Sequence, residues 1–228
     1  MIFFHIFVPT TSHNAMKYLS FFILLFIGEL SVSAQHMFSR QFPFFNQLSS
    51  NEIFSIHQDR EGYFWIGTTN GLARYDGYQL NTFRTDYKNQ NLLTDNGITA
   101  INDNDLYVWI GTWKGLNLYN KQTCRITPFS DARLLDKVVD AITVDKDGNV
   151  WVSAGGMIYR CDSTAHIIKE YEVGNIQEGY AISNIYVDQQ KQLWAVGSRG
   201  IFRYEPETDS FFRYPPLGNG HTAYIMHQ

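Results

Sequence analysis

Four residues after Trp109 stands Trp113, where Thr69, Gly155 and Ser198 stand four residues after Trp65, Trp151 and Trp194. A flat indole in a slot otherwise held by small residues can stack on the apolar face of a sugar ring. The next offset holds Asn70, Lys114, Gly156 and Arg199. Their amide, ammonium and guanidinium donors suit sugar hydroxyls or a uronic carboxylate. Trp113, Lys114, Asn70 and Arg199 are therefore the candidate ligand-binding residues. The plainer alternative, that Trp113 packs over a neighbouring repeat, stays open.

No catalytic, metal or cofactor residues are expected. The histidines at 5, 13, 36, 57, 166, 221 and 227 include no pair at helical metal-binding spacing. His57 reads as a strand residue. Gly218-Asn219-Gly220-His221 follows Pro215-Pro216 and opens no helix, so it is no dinucleotide fingerprint. The pairs Asp103/Asp105 and Asp145/Asp147 fail calcium-loop spacing and read as turn chemistry. Cys124 and Cys161 fall in different repeats, and a disulfide between them is not expected.

The elements that position these residues recur with a period near 43. Trp65, Trp109, Trp151 and Trp194 mark four copies. Glycine follows six residues later in three of them (Gly71, Gly115, Gly200), with Met157 in the third. Tyrosine follows at ten (Tyr75, Tyr119, Tyr204), with Cys161 in the third. Such a period with strand-like content predicts an all-β propeller of four-stranded antiparallel blades. Upstream strands begin at Ile53, Ile98, Val139 and Ile182, and Asp59-x-x-Gly62 and Asp145-x-x-Gly148 read as tight hairpins. The second and fourth copies lack that glycine (Asp105, Lys191), so their turns are expected to differ.

Composition fits this reading. The chain has 228 residues, 16% of them aromatic, and a formal charge of -4 with no basic run, which argues against nucleic acid as a partner. Residues 1–34 have the layout of a cleavable export signal. Lys17 precedes the apolar run Leu19–Ile27, and Ser31-Val32-Ser33-Ala34 precedes a cut after Ala34. The run is far shorter than the ~20 residues of a membrane span. Met16-Lys17 reads as the natural start, making 1–15 an over-extended leader. Residues 35–228 are then the propeller: four blades plus the start of a fifth, since the run ending His227-Gln228 lines up with the run ending His57-Gln58.

Leu48-Ser49-Ser50-Asn51, Ile56-His57-Gln58-Asp59, Trp65-Ile66-Gly67-Thr68 and Gly71-Leu72-Ala73-Arg74-Tyr75 together resemble the two-component regulator propeller repeat. The resemblance covers roughly residues 38–228. It implies the periplasmic sensor part of a Bacteroides-type hybrid two-component system, built in the family from seven-bladed propellers. It further implies recognition of an oligosaccharide and signalling to a histidine kinase. This chain reads as a fragment of such a sensor, its partners the missing blades and the downstream kinase region of a full-length protein anchored in the inner membrane, with a homodimer as a further option. The alternatives are an enzyme like virginiamycin B lyase, whose propeller has similar repeats, or a protein-interaction scaffold.

Overall fold

The computed structural model describes residues 44–85, 93–173, 182–198 and 200–214. The export signal, Arg199 and the start of a fifth blade lie outside the described residues. Within Pro43–Gln228, one of two compact units of the chain, the described residues form four antiparallel four-stranded sheets.

Blade 1 contains β1 (Ile53–Gln58), β2 (Phe64–Thr68), β3 (Gly71–Tyr75) and β4 (Leu80–Phe83). Blade 2 contains β5 (Ile98–Asp103), β6 (Tyr107–Thr112), β7 (Gly115–Asn120) and β8 (Arg125–Pro128). Blade 3 contains β9 (Val139–Val144), β10 (Val150–Ala154), β11 (Met157–Cys161) and β12 (Ile167–Glu172). Blade 4 contains β13 (Ile182–Val187), β14 (Leu193–Gly197), β15 (Gly200–Glu205) and β16 (Ser210–Arg213). Strands pair in chain order within each sheet, and β1, β5, β9 and β13 pack side by side as the inner strands. The fold is an incomplete β-propeller.

The recurring tryptophans explain why the sheets stack. A sheet apolar on both faces has to be covered twice, and the neighbouring blade supplies the cover. Trp65 is wholly buried among Ile98, Val108 and Tyr119 of blade 2. Trp109 sits with Val139, Val150 and Tyr159 of blade 3, and Trp151 with Ile182, Leu193 and Phe202 of blade 4. The tyrosine ten residues after a core tryptophan closes over the tryptophan of the preceding blade. Tyr119 lies 4.8 Å from Trp65, and Tyr204 lies 4.9 Å from Trp151, centroid to centroid. Burying one such indole is worth roughly 4–6 kcal/mol before entropy. Among the described residues no blade covers the outer flank of blade 1, where Ile56 is 64% and Phe64 40% exposed. Phe44, ahead of blade 1, packs 5.3 Å from Tyr75.

Backbone approach between blades is close enough to restrict side chains. A Cβ on Gly67 would lie 2.7 Å from Ile98, the first residue of the next inner strand. Glycine at this point in β2 lets blade 2 seat against blade 1.

The hairpins joining the first two strands of each blade correct one expectation. In blades 1 and 3, the amides of Gly62 and Gly148 bond back to Asp59 and Asp145 at left-handed φ of +92° and +82°. Blade 4 makes the same turn: the Lys191 amide bonds to Asp188, and Lys191 itself takes φ +64°. The fourth turn therefore keeps the geometry, with a lysine bearing the strain that glycine avoids elsewhere. Only the second turn differs. It is one residue shorter, with Asn104 Oδ1 accepting the Leu106 and Tyr107 amides.

Candidate functional site

Two rims flank the blades. The upper rim carries the hairpins between the second and third strands together with the segments passing from blade to blade. The lower rim carries the Asp hairpins and the turns between the third and fourth strands.

On the upper rim, Trp113 stands in the β6–β7 hairpin, which is anchored by its amide bonding to Gly97 O at 3.1 Å. A Cβ on Gly97 would lie 2.4 Å from the indole atoms Cδ2 and Cε3. The ring therefore rests against Gly97, and a side chain there would displace it. Phe54 of blade 1 meets the same indole edge-on at 6.2 Å. The remainder of the ring is open, with the residue 43% exposed. Packing over blade 1 and a free aromatic surface coexist at this position.

The neighbouring candidates separate. Lys114 stands beside Trp113 and its exposed ammonium lies 3.8 Å from Asp95. Asn70 is on the equivalent hairpin of blade 1, but both ends of its amide are engaged. Its Oδ1 accepts from Arg84 at 2.6 Å and its Nδ2 donates to Ser49 O at 3.2 Å. Asn70 ties its hairpin to the segments before β1 and after β4. Arg199 lies outside the described residues.

The same rim holds a feature that alternation of residue types does not reveal. Every inner strand has a bulge after its first residue, making Phe54, Thr99, Asp140 and Ser183 the extra residues. Bulges re-aim side chains beside functional surfaces, and Phe54 does so here by reaching Trp113. Asp140 has no hydrogen-bond or ion-pair partner among the described residues; its side chain is exposed, and the protein atoms crowded around it raise its carboxyl to about 6. Repeated bulges are legible only from the register.

On the lower rim each interface between blades is closed differently. Between blades 1 and 2, Asp103 (4% exposed) accepts from Lys121 Nζ at 2.6 Å and lies 2.7 Å from His57 Nε2. Burial opposes ionisation of Asp103, but His57, Lys121 and the Arg60 amide outweigh it and hold the carboxyl at about 2. Asp103 thus bridges two blades instead of shaping a turn, which corrects the expectation for that residue. Asp145 does make the turn, accepting the Asp147 and Asn149 amides. The signal for Asp103 was its repeat position, the partner of the residue before the tryptophan, occupied elsewhere by Gln58, Val144 and Val187.

Between blades 2 and 3, Asn104 Nδ2 donates to Ser163 O at 3.1 Å. Between blades 3 and 4 the lower rim keeps a cleft of about 280 Å³. Farther out, Asp209 accepts from Tyr171, Tyr204 and Lys169, each at 2.6 Å, locking these blades together. Cys124 and Cys161 are free thiols, the first exposed and the second buried. Among the described residues no acidic, histidine or cysteine cluster could hold a metal ion, and no helix is long and apolar enough to cross a membrane.

Residues 47–70 match the two component regulator propeller family. No curated protein matches the chain. Among solved structures, the extracellular domain of a putative one component system from B. thetaiotaomicron is similar at TM-score 0.60 and 21% identity, over 76% of this chain and 23% of that one. The extracellular domain of a putative hybrid two component system from the same organism is similar at TM-score 0.53 and 20% identity, over 76% of this chain and 31% of that one. Virginiamycin B lyase from Staphylococcus aureus is similar at TM-score 0.59 and 18% identity, over 74% of this chain and 57% of that one. The chain spans about a quarter of the first of these structures.

Proposed function

We propose that the chain is the ligand-binding part of a periplasmic sensor, exported by its N-terminal signal, that recognises an oligosaccharide and passes the signal to a histidine kinase. The match of residues 47–70 to the regulator propeller family supports the sensor role. The observation that carries the binding role is Trp113, an aromatic held flat on Gly97 with part of its ring open beside Lys114. A sugar stacked on that indole would direct its hydroxyls or carboxylate toward the lysine ammonium. In this reading the chain does no chemistry. The exposed Ile56 and Phe64 on the flank of blade 1 suit contact with a further blade of the same kind.

Binding to a glycan array tests the proposal. Trp113→Ala is expected to abolish the signal of whichever oligosaccharide binds, with an unchanged melting temperature because the residue is half-exposed. Unchanged affinity would remove Trp113 from the site.

A further inference from the structure

The cleft between blades 3 and 4 lies at an interface that lacks the charged pair found between blades 1 and 2. At the interface of blades 1 and 2 the equivalent space is filled by Asp103 and Lys121. Asp103 partners Val108, the residue before the core tryptophan, and Lys121 stands two residues after Tyr119. The matching residues in blade 4 are Val187, partner of Leu193, and Pro206, two residues after Tyr204. Neither carries a charge, and a cleft remains, walled by Leu193, Tyr204 and Pro206.

The charged groups around that wall are almost all spoken for. Asp145 accepts the Trp151 indole at 2.8 Å, Asp147 faces Lys146 at 3.4 Å, and Glu205 pairs with Arg203. Lys191 lines the same cleft, and its ammonium has no partner among the described residues. It is also the residue held at φ +64° where the matching hairpins have glycine. A cation is thus kept at a cleft where Leu193, Tyr204 and Pro206 stand among paired charged residues, at a cost in backbone strain.

We propose that this cleft is a second binding site, taking a ring-sized ligand that carries a carboxylate. The ring would lie against Tyr204 and Pro206, and the carboxylate would meet Lys191. The volume is near the lower end of small-molecule pockets, which begin at about 300 Å³, so it admits one ring and not a chain. The site lies on the rim opposite Trp113 and does not depend on the sugar platform proposed there.

Titration of the full chain with sodium glucuronate, following the Trp151 indole N–H resonance, tests the assignment. Parallel titrations with glucose and with sodium acetate separate the contribution of the ring from that of the carboxylate. Saturable shifts are expected with glucuronate, with glucose and acetate at least tenfold weaker. Lys191→Gly is expected to weaken glucuronate at least tenfold. This variant should fold, because Gly62 and Gly148 occupy the same conformation in blades 1 and 3. Trp113→Ala should bind glucuronate as the parent does. Absence of saturation with glucuronate, equal binding of acetate or glucose, or unchanged affinity in Lys191→Gly would each overturn the proposal.

Discussion

Asp59 and Trp65 are joined by a 2.7 Å hydrogen bond from the indole N–H to the carboxylate, inside a core where the indole is wholly buried. Asp145 and Trp151, and Asp188 and Trp194, repeat it at 2.8 Å. One carboxylate thus shapes the hairpin through one oxygen and satisfies the core indole through the other. Blade 2 cannot do so. Its turn is a residue shorter, the Asn104 side-chain oxygen is taken by two amides, and Trp109 Nε1 has no partner among the described residues. Replacing Trp65 by Phe should therefore cost about 1–3 kcal/mol more than replacing Trp109 by Phe, since only the first strands a buried acceptor. Chemical denaturation of the two variants measures the difference, and equal losses would contradict the role given to the bond.

Trp151→Ala should cost about 3–5 kcal/mol, because the indole is buried between blades 3 and 4 and the cavity cannot collapse without moving a sheet. A thermal melt that does not move would mean that the blades are held by something else.

Asp103 links stability to acid. Its folded-state carboxyl sits at about 2, below the ordinary 3.8, so its contribution is present above pH 4 and is lost as pH falls through 2. The displacement corresponds to about 2 kcal/mol at neutral pH. Asp103→Asn should lose at least that much at pH 7, leaving Lys121 buried with a weaker partner. Its stability should be less sensitive to acid below pH 4. Parallel melts from pH 2 to 7 that stay a constant distance apart would rule this out.

Asp140 has the opposite sign. Its carboxyl is raised to about 6, so the folded state holds a proton that the unfolded chain has already released. Its stabilising effect is present below pH 4 and is lost as pH rises through 6. Because the side chain is exposed and water screens its charge, Asp140→Asn is expected to raise the melting temperature only slightly at pH 7 and leave it almost unchanged at pH 4. A variant less stable at pH 7 would point to an ionic partner for the carboxylate.

The blades were readable because each rests on one large, rare residue at a fixed interval. Trp65, Trp109, Trp151 and Trp194 place the β2-type strands, and the apolar segments before them place the inner strands. The turns were harder. Lys191 looks like a break in the hairpin pattern, yet the chain holds it in the conformation that glycine adopts elsewhere, because the flanking strands dictate the turn. Asn70 looked like a free donor, but hydrogen bonds from distant segments occupy it, and one sequence does not reveal them. The His57–Asp103–Lys121 bridge joins residues from two blades and becomes visible only once the blades are superposed by register.

For blades 1 and 3 the tyrosine that covers the tryptophan comes from the blade that follows, which gives these interfaces a direction. Tyr119 covers Trp65, and Tyr204 covers Trp151. Losing a blade bares the indole of its predecessor while its successor keeps its own indole lidded. On the ribosome, where the N-terminal end emerges first, each sheet stays greasy on one side until the next has been made, so the nascent chain zips closed toward its C-terminal end.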